Sequence, residues 1–342
     1  MKKYLIMALV VAQGTTSMAQ LNKENLNLSF YRDNAVNLTS YSYTSSPTMA
    51  VQVAYDSIVK LVDLWEYKNM RIYPIVGNEV YSEESKVKNN YVSLKEALEK
   101  QTIEVRELST GGTVNTLKLT NLGKDTIYIM AGEVVLGGKQ DRAIGQELIL
   151  PPGAKDVQVK VFCVEHHRWS QGSDGTKFNG YYGIAGNQVR KKVVVDKNQS
   201  QVWAKVDEAH GKAGVSSSTS SFKDIKKSED YMETMGGYKE YYLPKLKAVE
   251  NLLGFVIVSG DKILGLEAFA TEDLMKQQLD KLLESYATEA MQEGAKVTVT
   301  TEQVDAYMKQ VLDETKQEEI IEKGGSELKL NNKKLHISVL EN

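Results

Sequence analysis

Two short runs in the 342-residue sequence concentrate side chains that could do chemistry. The first is Ala131-Gly132-Glu133-Val134-Val135-Leu136-Gly137-Gly138-Lys139-Gln140-Asp141-Arg142, a carboxylate followed by a glycine pair and a dense polar stretch. Gly137 and Gly138 allow positive φ or a close backbone approach to a ligand. Lys139 and Arg142 could hold an anion, Arg142 through two parallel hydrogen bonds. The run lacks the Gly-Lys-Ser/Thr ending and following helix of a phosphate loop. A β-turn with solvated charges accounts for the same residues, because turns collect glycine and polar side chains. The second run is Val157 to Trp169, in which Val157, Val159, Val161, Cys163, Glu165 and His167 alternate onto one face of a predicted strand. That face begins apolar and ends polar, as expected of a strand that leaves the core and delivers side chains to a site. Arg168 and Trp169 follow at its exit. A carboxylate, a guanidinium and an indole together could hold a sugar or nucleobase. The structural alternative is an Arg–Glu pair at a strand end with Trp169 packed in the core.

Combined, the runs suggest a site for a phosphorylated sugar or nucleotide-like small molecule. Lys139, Arg142 and Arg168 would hold the anion, Gln140 would orient it, and Trp169 would stack on the ligand. Glu133 or Glu165 would act as general base, its pKa raised by burial or by the other carboxylate. In that arrangement Arg142→Ala and Glu165→Gln leave folding intact and remove binding. The competing class is a non-catalytic binding or structural domain that recognises a glycan, an envelope component or a protein partner. There the same arginines and carboxylates form a buried ion-pair network.

Other chemistries have less support. Cys163 falls on the apolar side of the strand pattern and reads as a small buried hydrophobe. His167 lies about 6–7 Å along the same face, too far for a direct hydrogen bond to it. Adjacent His166 and His167 on a strand point to opposite faces, and with Glu133 and Glu165 they form no known zinc-ligand spacing, so no metal is expected. The sequence identifies no cofactor, and it contains no Gly-x-Ser-x-Gly nucleophile elbow.

The elements that must position these residues form an α+β pattern, with a β-rich N-terminal half followed by helices and small hairpins. Met70–Val76 alternates as a strand, and Ser93–Lys100 reads as a short helix with a Ser93/Glu96 capping box. β segments are expected over 103–108, 114–120, 126–131, 147–150 and 157–165. Helices are expected over 201–210, over 241–253 opening near Pro244, from a Thr271 cap to about Met291, and from a Thr301 cap to about Glu322. Residues 214–221 read as a Ser-rich linker or exposed loop. Hairpins are expected around Gly260-Asp261-Lys262 and Asn331-Asn332. Strands and helices do not alternate regularly, which argues against a doubly wound sheet.

The N-terminus has the three parts of an export signal: Lys2 and Lys3, the apolar run Tyr4–Ala12, and a small-x-small site at Ser17-Met18-Ala19. Cleavage is expected before Gln20, giving a periplasmic or secreted chain whose residues 20–342 form one composite domain. The apolar run is shorter than the ~20 residues of a membrane-spanning helix, so no stable span is expected. Net charge falls from −3 to −5 once Lys2 and Lys3 are removed, an acidity that argues against a nucleic-acid partner. One cysteine excludes an internal disulfide, so the core must hold the fold.

Four segments occur in order: Tyr91-Val92-Ser93-Leu94-Lys95-Glu96-Ala97-Leu98; Glu133 with Gly137-Gly138-Lys139-Gln140-Asp141-Arg142; Cys163-Val164-Glu165-His166-His167-Arg168-Trp169; and Gln201-Val202-Trp203. In these the chain resembles the ARG and rhodanese-phosphatase-superfamily-associated protein family, where ARG denotes ADP-ribosylglycohydrolase. The resemblance covers roughly Met70 to Met291. It implies a role near nucleotide or ADP-ribose metabolism, with Glu133, Lys139, Gln140, Arg142, Glu165, Arg168 and Trp169 matching the family's polar set. His167 stands where the family more often has Gly, and Asp141 where Asn is usual.

Overall fold

The structure, a computed structural model, describes residues 58–61, 65–77, 91–108, 114–170, 175–330 and 333–341. The expected export signal, the polar segment 20–50 and the Asn331-Asn332 turn lie outside the described residues. The strands of the first half are β1 (Ile58–Leu61), β2 (Trp65–Tyr67), β3 (Met70–Gly77), β4 (Tyr91–Ser93), β5 (Ile103–Glu107), β6 (Thr116–Asn121), β7 (Thr126–Ile129), β8 (Glu133–Gly137), β9 (Arg142–Ile144), β10 (Leu148–Leu150), β11 (Val157–Cys163) and β12 (Phe178–Ile184). Those of the second half are β13 (Leu252–Ser259), β14 (Lys262–Phe269), β15 (Gly325–Leu330) and β16 (Lys333–Leu340). The helices are α1 (Leu94–Glu99), α2 (Asn187–Val194), α3 (Gln199–Ala213), α4 (Glu229–Ala248), α5 (Glu272–Glu293), α6 (Thr301–Leu312) and α7 (Glu314–Gly324). The chain is α+β, with its strands concentrated in the first half and its helices in the second.

Six strands of the first half form an antiparallel sheet in the order β12-β8-β9-β11-β6-β5. A bridge between Arg106 and Lys177 brings its two outer strands together and closes it into a small barrel. The alternation read from the sequence explains its interior. Val157, Val159, Val161 and Cys163 of β11 are buried, and the first three pack with Leu117, Leu119, Val135 and Phe178. Helix α1 closes this core with Leu94, Ala97 and Leu98. Ser93 caps α1 by accepting from the Glu96 N–H at 3.2 Å, but the Glu96 carboxylate pairs with Lys100 at 2.6 Å. Only half of the expected capping box is therefore made.

The second half builds on a larger antiparallel sheet, β1-β3-β13-β14-β16-β15, with β2 added to β3. The hairpin β13–β14 turns at Gly260 and Asp261, as expected. Helix α5 lies across β13 and β14 and buries Leu274, Leu279, Leu282, Leu283 and Tyr286, the residues its spacing singled out. Each large apolar side chain so buried stabilises by about 1.5–3 kcal/mol. Thr271 caps it through the Leu274 N–H, and Gly294 at φ +64° ends it.

Two helices differ from expectation. α4 starts at Glu229, capped by Ser228, and carries Pro244 inside rather than at its start. Its buried stripe is Tyr231, Met235, Tyr238, Tyr242 and Leu246, mostly tyrosines whose spacing is helical although their hydroxyls are polar. Leu252 and Leu253 belong to β13 instead. The single helix expected after Thr301 is two helices: Thr300 and Gln303 form a full capping box for α6, and Asp313 then caps α7 by accepting from the Thr315 N–H.

A buried chain of charges joins the parts. His336 on β16 meets Glu147 through Nδ1 at 2.9 Å and Glu267 on β14 through Nε2 at 2.9 Å. Glu267 also binds Arg190 of α2 and accepts from the Tyr286 hydroxyl, and Tyr128 of β7 donates to Glu147. Both imidazole nitrogens face carboxylates, so His336 is positioned as the cation, donating from each. Burial opposes that charge, but Glu147 and Glu267 outweigh it and raise His336 from 6.5 to about 9. Glu267 is held at about 2: burial favours its protonation, and Arg190 and His336 prevail.

A raised folded-state pKa gives His336 a stabilising contribution that is complete below about pH 6.5 and is lost as pH rises through about 9. The gap corresponds to about 3 kcal/mol. Urea unfolding across this range should show an alkaline loss in the wild type, and His336→Gln should start less stable and lack most of that loss. An identical alkaline decline in the variant would assign it to another group.

Candidate functional site

The two polar runs meet where the β8–β9 turn packs against the exit of β11. Gly137 and Gly138 take φ of +138° and +52°. A Cβ on Gly137 would lie 2.6 Å from the Lys177 carbonyl oxygen, and one on Gly138 2.5 Å from the Phe178 ring. The glycine pair therefore admits the barrel's own chain at β12, the close approach that the sequence suggested for a ligand.

Asp141 is the hub of this corner. Its Oδ1 accepts from the Gly137 N–H at 3.0 Å and from Arg168 at 3.3 Å. Its Oδ2 accepts from the Ser221 hydroxyl at 2.8 Å and the Lys223 ammonium at 2.9 Å. The Asp141 N–H donates to Glu165 Oε2 at 3.0 Å, and the same oxygen takes two guanidinium nitrogens of Arg168, at 2.8 and 2.6 Å. Arg168 also donates to the carbonyls of Gly137, Gly138 and Ser170. Burial favours a protonated Glu165, but the Arg168 hydrogen bonds and the Asp141 N–H outweigh it and lower its pKa. That direction is the reverse of the rise expected for a general base.

The remaining residues fall into separate places. Glu133 is fully buried in another network, accepting from Tyr181 at 2.6 Å, Lys281 of α5 at 2.5 Å and the Met130 N–H at 2.7 Å. It shares no hydrogen-bond partner with Glu165 among the described residues. Arg142 is buried on β9 beside Cys163, and its guanidinium donates to the carbonyls of Gln140 at 2.7 Å and Val114 at 3.1 Å. Burial lowers its pKa, and burial raises that of Cys163. Gln140 is buried and donates to the His166 carbonyl at 3.2 Å. Lys139 is half-buried, and Trp169 lies at the surface. Trp169 is 57% exposed, and the Lys139 ammonium stands 5.2 Å from its ring centroid.

Several partners had no signal in the two runs. Ser221 and Lys223 come from, or just follow, the stretch read as a Ser-rich linker. That stretch is docked: the His167 N–H donates to the Thr219 carbonyl at 3.0 Å, and the Phe222 N–H to that of Val164 at 2.8 Å. Lys281 and Tyr181 lie far along the chain from Glu133, and only the fold brings them to it. An open cleft of about 380 Å³ lies elsewhere, lined by residues that include Asp261, Lys262, Tyr307 and Glu341, and contains none of the seven candidates. Among the described residues no group of three or more His, Cys, Asp or Glu side chains is placed to hold a metal ion, and no helix is long and apolar enough to cross a membrane.

The geometry changes the expectation for Glu165→Gln. Removing one partner of a buried pair strands the other, at a cost on the order of 3 kcal/mol. Glu165→Gln and Arg168→Ala should each lower the urea midpoint clearly, whereas Trp169→Ala should leave it within about 0.5 kcal/mol of wild type. A wild-type midpoint for Arg168→Ala would mean the corner is not held by these pairs.

Neither a curated protein nor a solved structure matches this sequence. The model of the ARG and Rhodanese-Phosphatase-superfamily-associated Protein domain matches residues 58–341, which takes in every described strand and helix and is wider than the four shared segments alone suggest. The chain belongs to the ARG and Rhodanese-Phosphatase-superfamily-associated Protein family.

Proposed function

We propose that this chain is an exported, non-catalytic binding domain that holds an anionic sugar-like ligand on Trp169 and Lys139. One observation carries the reading. Of the seven polar candidates, the carboxylates and arginines are committed to partners inside the protein, while the Trp169 ring is open to solvent with an ammonium beside it. An indole face accepts the apolar face of a sugar ring, and the ammonium over the ring adds attraction for a phosphate, carboxylate or sulfate group. A nucleotide-like ligand offers the same two features. The export signal at Lys2, Lys3, Tyr4–Ala12 and Ser17-Met18-Ala19 favours the glycan, since nucleotides are scarce outside the cytosol.

Tryptophan fluorescence of the mature chain, titrated with sugar phosphates and anionic oligosaccharides, tests this. Trp169→Ala and Lys139→Ala should each weaken binding at least about fivefold with an unchanged melting temperature, the scale of an exposed cation–ring contact. Wild-type affinity in Trp169→Ala would place the ligand elsewhere. N-terminal sequencing of the protein recovered outside the cytoplasm should begin at Gln20, and a chain still beginning at Met1 would remove the export part of the proposal.

A further inference from the structure

Lys191 of α2 is only 7% exposed, yet its ammonium has neither a hydrogen bond nor an ion pair among the described residues. The contrast lies within one helical turn. Lys192 closes on Asp196 at 2.5 Å, and Arg190 is paired with Glu267. The fold explains the burial. Asn187 and Lys191 stand four residues apart, on one face of α2 and one turn from each other. The Asn187 amide donates to the Leu264 carbonyl at 3.1 Å and to Glu289 of α5 at 2.6 Å. The Glu341 N–H, just past β16, donates to the same Leu264 carbonyl at 3.0 Å. This face of α2 is thereby pinned over the first half of β14 and the end of β16, with Lys191 one turn farther along.

Burial is the largest influence on Lys191 and holds its ammonium below its ordinary value. Glu341, Asp196 and Glu289 act the other way, and Lys192 adds to the lowering. Among these charges Glu341 acts most strongly, and it also lines the open cleft of about 380 Å³ with Ile263 and Tyr307. The carboxylate that most affects the amine therefore borders a space of small-molecule size. An amine out of water with no acceptor for its protons gives one up readily, and the neutral nitrogen carries a free lone pair.

We propose that Lys191 is a nucleophilic amine that takes a small aldehyde as an imine. The Nζ lone pair forms the bond to the carbonyl carbon, the carbon–oxygen bond breaks, and both hydrogens of the neutral amine leave with that oxygen as water. Nothing is oxidised or reduced. This reactivity does not depend on the ligand surface at Trp169 and Lys139.

The test treats the whole protein with propanal and cyanoborohydride across a pH series and locates the propyl adducts by peptide mass spectrometry. At neutral pH Lys191 should be labelled at least about fivefold faster than Lys192, the advantage of a desolvated amine over one held in an ion pair. Labelling of Lys191 no faster than that of Lys192 would overturn the proposal. Glu341→Gln removes a charge that favours the ammonium, so the pH at which Lys191 labelling is half complete should move down. An unmoved midpoint would overturn the placing of the amine beside this carboxylate. Lys191→Met keeps an unbranched stem and drops the amine, and it should melt no lower than wild type. A clear fall in melting temperature would show that the amine is paired within the fold and is not a free nucleophile.

Discussion

A carboxylate removed from water must find a cation or enough hydrogen-bond donors, or it will not stay ionised. That constraint organises this fold. Glu133, Asp141, Glu147, Glu165 and Glu267 are all almost wholly hidden, and each is matched to groups from distant parts of the chain. Glu133 ties β8 to α5 through Lys281. Glu147, His336, Glu267 and Arg190 bind the loop before β10, two strands of the large sheet and α2 into one chain of alternating charge. Asp141, Glu165 and Arg168 lock the β8–β9 turn to the end of β11 and to the serine loop. Apolar packing supplies most of the stabilisation, but it tolerates small shifts of one surface over another. A hydrogen-bonded ion pair out of water does not, so these contacts fix how the barrel, the sheet and the helices register.

What the sequence made legible follows the range of the interactions involved. The α+β class, β3, the hairpin at Gly260, and α5 with its Thr271 cap come from periodicity and capping, which neighbours in sequence settle. The burial of Cys163 came from simple alternation along β11. α4 was misplaced because its buried stripe is written in tyrosine and because Pro244, which favours a first turn, sits in its interior. The break at Asp313 was hidden because Val304, Met308, Val311 and Leu312 continue one apolar stripe up to it. β8 and β9 are short and flanked by glycines, and β12 is interrupted by Gly180 and Gly183, so they carry little period of their own. The polar corner was legible as a composition but not as a network. Ser221 lies 80 residues from the Asp141 it binds, and Lys281 lies 148 residues from Glu133.

The same geometry bears on whether Glu165 could serve as a general base. A general base must take up a proton near neutral pH and give it back. Glu165 is held ionised by two guanidinium nitrogens and a backbone N–H, and to protonate it is to weaken the contacts that close the corner. Swinging Arg168 out to meet a ligand would leave Glu165 and Asp141 without that guanidinium, with the Lys223 ammonium, the Ser221 hydroxyl and the Gly137 N–H still on Asp141. Two carboxylates in that position repel, and the penalty on the order of several kcal/mol would have to come from the ligand. A ligand on Trp169 would meet no such penalty, because the ring is already exposed. The buried carboxylates and the arginines that meet them are thus committed to holding the fold.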